Sequence, residues 1–295
     1  MRDAALQGLA VGFFDGVHLG HRAILEGADA ALTFRNHPLT VLAPEKAPRL
    51  IMSCEERVAA IKACGVKDVT VLDFTPELAA MSPDEFVTRH LASSVSRLPS
   101  FVRCGANWRF GKGGAGDAAF LRSRGIAVEV APYAEYKGER VSSSRIRAAL
   151  ERGEIEDANA MLGRRIEVQG LRFEGKGLGR ELGYPTVNLG IPERESCECG
   201  ESSRIVLRRG VYEVELGGLK GIANYGTAPT MGDKAWRKNV LEVHLLEDSS
   251  DSFDSRDSRS AFVVSICRFL RPERKFDSLD DLKRQIAADC DTIRT

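Results

Sequence analysis

Residues 12–21 (GFFDGVHLGH) constrain the fold of this chain more than any other stretch. The apolar run at 9–14 predicts a buried strand, and the pair Asp15-Gly16 predicts a tight turn at its end. A helical pattern opens near Gly20. A strand, a turn and a helix N-terminus bring backbone N–H groups and a partial positive charge to a phosphate. We interpret the stretch as a phosphate-binding turn in which His18 and His21 face one anion. The alternative is a pair of capping or surface histidines.

The composition is that of an ordinary globular protein, and 295 residues predict two domains. Lys and Arg total 42, as do Asp and Glu, so bulk electrostatics give no indication of a nucleic-acid or membrane-surface partner. The first eight residues carry no signal-peptide pattern, and the odd number of cysteines favours free thiols in a reducing compartment. We therefore predict a cytoplasmic protein. Cys197 and Cys199 could be half of a metal site, but no second Cys or His pair lies near them in the sequence.

The first half of the chain alternates between strand and helix patterns. Further strands are predicted at 31–34, 66–74, 101–104 and 126–130, and helices begin at the capping sequences 53–56 and 82–85 and at 118. This alternation predicts a parallel sheet that is covered on both faces. Ligands of such sheets bind beyond the carboxyl ends of the strands, where the histidine turn lies.

Two more stretches are expected at that edge of the sheet. Residues 105–114 follow a predicted strand and are rich in glycine and in hydrogen-bond donors; the alternative is a flexible surface loop. Residues 142–147 (SSSRIR) precede a helix and predict a second phosphate cradle, although hydroxyls at a helix start can also simply cap it.

The second half of the chain has the pattern of an antiparallel barrel. After a connection at 150–163, strand-like segments at 166–173, 210–216, 221–225, 240–246 and 261–269 are separated by turns, and a final helix covers 279–290. Residues 170–176 match the spacing of a P-loop, but Gly177 stands where Ser or Thr is needed and no helix follows, so we reject that interpretation.

Residues 175–188 (GKGLGRELGYPTVN) predict a nucleotide-binding segment instead. The glycines let backbone amides approach phosphates closely. Thr186 and Asn188 are alternate residues of an extended segment and offer oxygen ligands suited to Mg²⁺. The alternative for Pro185-Thr186 and its neighbours is an ordinary turn.

Three motifs of the first half, in order, resemble the adenylyltransferase half of bacterial bifunctional riboflavin kinase/FMN adenylyltransferases, the FAD synthetases. They are G-x-F-F-D-G-V-H-x-G-H, N-x-x-F-G and V-S-S-x-x-I-R. The glycine-rich segment, Y-G-x-x-P-T at 225–230, E-V-H-L at 242–245 and F-L-R-P-E-x-K-F at 269–276 resemble the riboflavin kinase module of the same family.

The resemblance implies an FMN adenylyltransferase domain of nucleotidylyltransferase type at 1–155 and a barrel-shaped riboflavin kinase domain at 163–295. It implies Mg²⁺, with ATP, riboflavin and FMN as small-molecule partners and neither nucleic acid nor membrane; we expect a monomer or a weak oligomer. The implied catalytic residues are Glu242 as the base of the kinase, with His18, His21 and Arg147 in the adenylyltransferase. The implied ATP- and FMN-binding residues of the first domain are Gly12, Phe14, Asp15, Gly16, Gly20, Asn107, Ser143 and Ser144. Those of the kinase domain are Gly175, Lys176, Gly177, Gly179, Tyr184, Thr186, Asn188 and Arg271, of which Thr186 and Asn188 hold the metal.

The chain departs from the family pattern in three places. The segment 21–33 is about half the usual length, so the first crossover helix must be short, and a distorted site is an expected consequence. Residues 34–38 (FRNHP) replace the usual D/E-P-H-P, and the polar segment 247–260 replaces a stretch that usually contains Tyr-Gly. Two alternatives follow: a monofunctional riboflavin kinase with a degenerate first domain, or a nucleotidylyltransferase for another small phosphate with a ligand-binding barrel.

Overall fold

A computed structural model describes residues 8–91, 99–174, 178–191, 207–226, 239–247 and 261–294. Within these ranges the chain forms two compact units, and the division falls between Arg145 and Ile146. Each unit is described by itself below. Of the helices that the structure describes, none combines the length and the apolar character that crossing a bilayer would take.

The first unit is built on a parallel sheet, as predicted. Its strands are β1 (Gly8–Val11), β2 (Ala30–Phe34), β3 (Asp68–Leu72), β4 (Phe101–Gly105) and β5 (Ala127–Ala131). They lie in the order β3-β2-β1-β4-β5, and every neighbouring pair is parallel. A small hairpin of β6 (Glu135–Tyr136) and β7 (Glu139–Arg140) follows the sheet.

Short helices connect the strands of this sheet. They are α1 (Leu19–Leu25), α2 (Leu39–Leu42), α3 (Cys54–Ala63), α4 (Pro76–Ala80), α5 (Pro83–Phe86) and α6 (Ala118–Ser123), and α7 (Ser143–Arg152) comes after the hairpin. The capping boxes predicted at Ser53 and Ser82 are both confirmed, because each serine accepts a hydrogen bond from the third helical residue, whose glutamate side chain bonds back to the serine N–H.

The sheet is covered on both faces. Successive residues of a strand point to opposite sides of it, and each side has its own hydrophobic cluster. Leu9 and Val11 of β1 pack with one hydrophobic cluster, and Ala10 packs with another. The short crossover after His21 does not disturb this arrangement. Helix α1 has only seven residues, yet β1 and β2 pair in regular parallel register from Leu9 opposite Ala30.

The second unit contains a closed antiparallel barrel, which confirms the predicted architecture. Its strands are β8 (Ile166–Phe173), β9 (Val187–Ile191), β10 (Gly210–Leu216), β11 (Leu219–Gly226), β12 (Asn239–Leu245) and β13 (Ala261–Arg271). Their order around the barrel is β10-β11-β12-β9-β8-β13. The helices of this unit after α7 are α8 (Ile155–Leu162), α9 (Leu178–Glu181) and α10 (Leu279–Arg294).

Helix α8 corrects the prediction that residues 150–163 are only helix ends and a connection. Asn159 joins α8 to the barrel: its amide nitrogen donates to the carbonyl of Ile266 at 2.9 Å, and its amide oxygen accepts from the N–H of Ile166 at 2.8 Å. Ile155 and Leu162 of α8 are buried. The segment is therefore a packed element of the second unit.

The terminal helix α10 packs on the outside of the barrel. Ile286 and Cys290 of this helix join a cluster with Val211 and Ile222 of the barrel. Ser278 precedes the helix and accepts a hydrogen bond from the N–H of Asp281 at 3.1 Å, so it caps the helix start.

Candidate active sites of the two units

Strand β1 ends, and the predicted phosphate turn begins, earlier in the chain than expected. The strand ends at Val11 and not at Phe14, because the backbone then enters the left-handed region at Phe14 (φ 59°), Gly16 (φ 86°) and Val17 (φ 42°). Phe14 and Val17 are fully buried. Residues other than glycine rarely adopt this backbone conformation, and a β-branched residue such as Val17 does so only at a cost in conformational strain. The turn is therefore a strained segment that its surroundings hold in place.

Asp15 anchors this turn from inside the protein. Its side chain is 1% exposed, and its carboxylate accepts hydrogen bonds from the N–H groups of Ile51 at 3.0 Å and Met52 at 3.2 Å. The hydroxyl of Ser143 donates to the backbone carbonyl of Asp15 at 2.9 Å. Both residues were expected to bind ligand, and the structure gives each a bond that fixes the turn.

The two histidines of the turn pack directly against each other. His18 is the N-cap of α1, and its Nδ1 accepts from the N–H of His21 at 3.2 Å, so in the neutral ring the proton is on Nε2. The two rings are stacked, with centroids 3.6 Å apart and planes 16° from parallel. A Cβ at Gly20 would lie 3.2 Å from Cε1 of His18. Glycine at position 20 thus allows the His18 ring to lie against the helix backbone.

Asn107 lies at the same edge of the sheet, because it follows β4, the parallel neighbour of β1. It is exposed, and its Oδ1 accepts from Nη2 of Arg140 at 3.2 Å. The Arg140 guanidinium stacks on the Tyr133 ring, 4.0 Å from its centroid. Arg140 was missed in the sequence, although a cation just before the serine run of 142–144 is a recognisable feature.

At the start of helix α7, one serine hydroxyl caps the helix and another is exposed. Ser142 accepts from the N–H of Arg145 at 3.3 Å and so caps the helix. Ser144 is exposed on the first turn. Arg147 lies one turn further along α7 than Ser143 and is half-buried.

In the barrel, the predicted base and one predicted metal ligand lie side by side. Glu242 of β12 stands directly opposite Asn188 of β9 and, on its other side, opposite Asn224 of β11. Directly opposite residues share a face of the sheet. Leu241 and Val243 point to the other face and are fully buried, so the row lies on the outer face of the barrel. Asn224 was missed in the sequence, where it immediately precedes the Y-G motif.

Glu242 is partly desolvated although one side of it is open to solvent. Burial by the surrounding protein atoms, and then the negative charge of Glu273, raise the pKa of its carboxyl above the usual range. Asn224 donates from Nδ2 to Oε1 of Glu273 at 3.4 Å. That same oxygen lies 2.2 Å from where a Cβ at Gly226 would be, so a side chain at position 226 would displace the carboxylate of Glu273. Glu273 belongs to the F-L-R-P-E motif at the end of β13, so only the folded barrel brings it near Glu242 of β12.

The residues before β9 form a compact turn. The N–H of Tyr184 donates to the carbonyl of Gly179 at 2.7 Å. A Cβ at Gly179 would lie 2.5 Å from the carbonyl oxygen of Tyr184 and 3.3 Å from Oγ1 of Thr186. Glycine at position 179 is therefore needed for the chain to fold back under Thr186. Gly175, Lys176, Gly177, Cys197, Cys199, the P-T pair at 229–230 and residues 248–260 lie outside the described residues.

Arg271 was expected to bind flavin, and the structure gives it a different contact. Its Nε and Nη2 both donate to the carboxylate of Asp289 on α10, at 3.0 and 2.7 Å to Oδ2, and its Nη1 donates to the carbonyl of Pro272. Asp289 is 5% exposed. This ion pair ties the end of β13 to the terminal helix.

A parallel sheet with a histidine turn at its edge, followed by a closed barrel in which Glu242 lies beside Asn188 and Asn224, fits a two-domain nucleotide-handling transferase. Family models agree with this division: one described as FAD synthetase matches residues 3–145, and one described as riboflavin kinase matches residues 162–295. The chain belongs to the family of bifunctional riboflavin kinase/FMN adenylyltransferases. The predicted bifunctional enzyme is thereby confirmed over the monofunctional alternative.

Relatives with both activities in their names match almost the whole chain. The Escherichia coli K12 protein is 32% identical over 97% of this chain and 91% of its own length. The Pseudomonas fluorescens protein is 34% identical over 96% of this chain and 91% of its own length. A solved structure described as a macrolide-efflux protein from Streptococcus pneumoniae matches with a TM-score of 0.78 at 24% identity, covering 98% of this chain and 93% of that one. This last likeness shows the fold alone.

Proposed function

We propose that the barrel unit transfers a phosphate from ATP to riboflavin, giving FMN, and that the sheet unit joins FMN to the adenylyl group of ATP, giving FAD and pyrophosphate. The observation that carries this proposal is the outer-face row of Asn188, Glu242 and Asn224, in which a carboxylate with a raised pKa lies beside an oxygen ligand.

Glu242 is proposed to accept the proton of the primary hydroxyl of riboflavin as that oxygen attacks the γ-phosphate. A general base works best when its pKa is close to the working pH, and burial together with Glu273 moves the pKa of Glu242 in that direction. Because phosphoryl transfer depends mainly on alignment and charge stabilisation, the fixed strand positions of Glu242 and Asn188 are suited to it.

The residues before and within β9 fit a magnesium ion. Thr186 is exposed, Asn188 is half-buried, and both carry neutral oxygen ligands on one extended segment. Mg²⁺ in nucleotide sites is held by few protein groups and by the substrate phosphates, whose charge it neutralises. Thr186 and Asn188 would hold it from the protein side.

Adenylylation needs no protein base, because the attacking FMN phosphate is already an anion. The sheet unit has to align two anions and stabilise the charge that builds on the leaving pyrophosphate. We propose that Nε2 of His18, the His21 ring, the Ser144 hydroxyl and Arg147 supply positive or donating groups, and that Asn107 contacts the nucleotide or the flavin. Asp15 and Ser143 support this site through the bonds that hold the turn.

The test is to follow both reactions in single-residue variants of the full chain. His21→Ala should lower FAD formation from FMN by about 10²-fold or more, as expected for the loss of a group that stabilises charge in the transition state. It should leave FMN formation from riboflavin unchanged. Glu242→Gln should do the reverse, with a loss of about 10²-fold or more in riboflavin phosphorylation.

Two positions outside the proposed sites serve as controls: half-buried His90→Ala in the sheet unit and exposed Glu156→Gln on α8. Separating the flavins by chromatography measures both products. Equal loss of both activities in either variant would refute separate sites, and unaltered riboflavin with the unmodified chain would refute the proposal altogether. The domain limits of 1–155 and 163–295, the cytoplasmic location and the monomeric or weakly oligomeric state stay predictions.

A further inference from the structure

We propose that His244 is a positioning residue of the kinase site: it fixes the segment that carries the magnesium ligands to the strand that carries the base. The inference rests on the proposed roles of Thr186, Asn188 and Glu242. His244 lies within the E-V-H-L motif at 242–245, and the sequence alone assigns it no role.

The contact that carries the proposal joins β12 to the segment before β9. Nδ1 of His244 lies 3.0 Å from the carbonyl oxygen of Pro185. A carbonyl oxygen can only accept, so Nδ1 carries the proton and donates. The ring also meets the Tyr184 ring edge to face, with centroids 5.1 Å apart and planes 81° from parallel. One imidazole therefore holds two successive residues of the segment.

The backbone pairing shows why a side chain is needed at this point. Strand β9 pairs with β12 only as far as Val187 opposite Val243. Pro185 has no N–H, so it cannot donate a further ladder bond, and its carbonyl is its only backbone hydrogen-bonding group. His244, the next residue of β12, supplies a side-chain donor to that carbonyl. The imidazole thus holds Pro185 to β12 beyond the point where the backbone ladder ends.

Thr186 is consequently held from both sides. Its predecessor Pro185 is bound by His244, and its successor Val187 is paired with β12. Asn188 lies inside the ladder and does not depend on His244. Glu242 and His244 are alternate residues of one strand, so they lie on the same face. A single strand therefore sets the position of the base and of the segment with the exposed magnesium ligand.

The test compares two substitutions that differ in one donor. His244→Phe keeps an aromatic ring against Tyr184 and removes the donor, whereas His244→Asn places an amide nitrogen close to the position of Nδ1. We expect the Mg²⁺ concentration that gives half-maximal riboflavin phosphorylation to rise by about tenfold in His244→Phe, in proportion to one lost hydrogen bond. We expect it to return towards the unmodified value in His244→Asn.

The same preparations report whether the fold is intact. FAD formation from FMN and the thermal unfolding midpoint should be the same in all three proteins, and kcat of the kinase at saturating Mg²⁺ should change by less than about threefold, since the base is untouched. An unchanged Mg²⁺ dependence in His244→Phe, or an equal shift in both variants, would overturn the proposal.

Thr186→Val separates this inference from the proposed function. If Thr186→Val raises the half-maximal Mg²⁺ concentration and His244→Phe does not, only the role of His244 fails. If neither Thr186→Val nor Asn188→Ala changes it, the assignment of the metal ligands itself is wrong, and the role of His244 falls with it.

Discussion

Two carboxylates illustrate how residues of one type acquire opposite roles. Asp15 is buried and accepts hydrogen bonds from the backbone N–H groups of Ile51 and Met52, which make it an anchor. Glu242 is open to solvent on one side, and burial on the other sides together with Glu273 disfavours its charge. In the sequence both are acidic residues with apolar neighbours, Asp15 in F-F-D-G-V and Glu242 in V-L-E-V. Their surroundings, which decide their chemistry, come from residues 36 and 31 positions away.

The raised pKa of Glu242 predicts a pH dependence of the kinase. The base must be unprotonated to accept a proton, so activity should fall as pH drops through its pKa, at a higher pH than for an ordinary glutamate. Glu273→Gln removes a negative charge that disfavours the ionised form. The acidic limb of the kcat/KM profile for riboflavin phosphorylation should therefore move to lower pH, and part of the shift should remain because burial is unchanged.

Glu156→Gln is the matched control for this measurement, since it removes the same charge from an exposed position that does not contribute to the pKa of Glu242. The profile for FAD formation from FMN, measured in the same variant, should not move. An acidic limb that stays in place in Glu273→Gln would show that Glu242 is not the titrating base.

At the scale of elements, the sequence was sufficient to predict those helices and strands that depend on interactions between neighbouring residues. Capping serines, alternating apolar residues and turn glycines predicted the sheet, the barrel and the terminal helix. They were insufficient at the end of β1, where tertiary contacts hold Phe14 and Val17 in a left-handed backbone. They also missed α8, whose stability depends on Asn159 bonding to the distant strand β13.

Arg271 is the clearest case of a residue whose partner could not be read from the sequence. The family resemblance implied a contact with ATP or flavin, yet its guanidinium meets Asp289, which lies 18 positions further on in α10. The side chains of this pair are 18% and 6% exposed. Removing one partner of such a pair leaves a buried charge without compensation, which costs about 3–5 kcal/mol.

Arg271→Met should therefore destabilise the barrel unit by about 3–5 kcal/mol in urea unfolding. Riboflavin phosphorylation should be lost at lower urea than in the unmodified chain. Under fully native conditions, the KM for riboflavin should be nearly unchanged. Asp289→Asn provides the comparison, because it disrupts the same pair from the other side and should give a similar loss. A large rise in KM for riboflavin in Arg271→Met, without loss of stability, would restore the flavin-binding role.

At the scale of the whole molecule, the two proposed reactions use different sets of functional groups. The base, its neighbours and the proposed metal ligands all lie in the barrel unit, whereas the histidine pair and its Asp15 anchor lie in the sheet unit. The product of one proposed reaction is a substrate of the other, and FMN is a free small molecule. Two chains with complementary defects should therefore work together.

An equimolar mixture of His21→Ala and Glu242→Gln chains should convert riboflavin to FAD, with a lag while FMN accumulates. The first variant alone should stop at FMN, and the second alone should leave riboflavin unaltered. Flavin chromatography over time measures this. If the mixture makes FMN but no FAD, although the Glu242→Gln chain still adenylylates added FMN, the intermediate does not exchange between chains.

The left-handed backbone at Val17 has a consequence for the directed evolution of this enzyme. Glycine would relieve strain at that position, but Val17→Gly also deletes a buried side chain and gives the unfolded chain more freedom, so a screen for heat resistance alone would not enrich it. The same change loosens the turn that presents the stacked histidines. Such screens should therefore leave position 17 unchanged, and a glycine placed there by design should lower adenylyltransferase turnover and thermal tolerance together while kinase turnover stays intact.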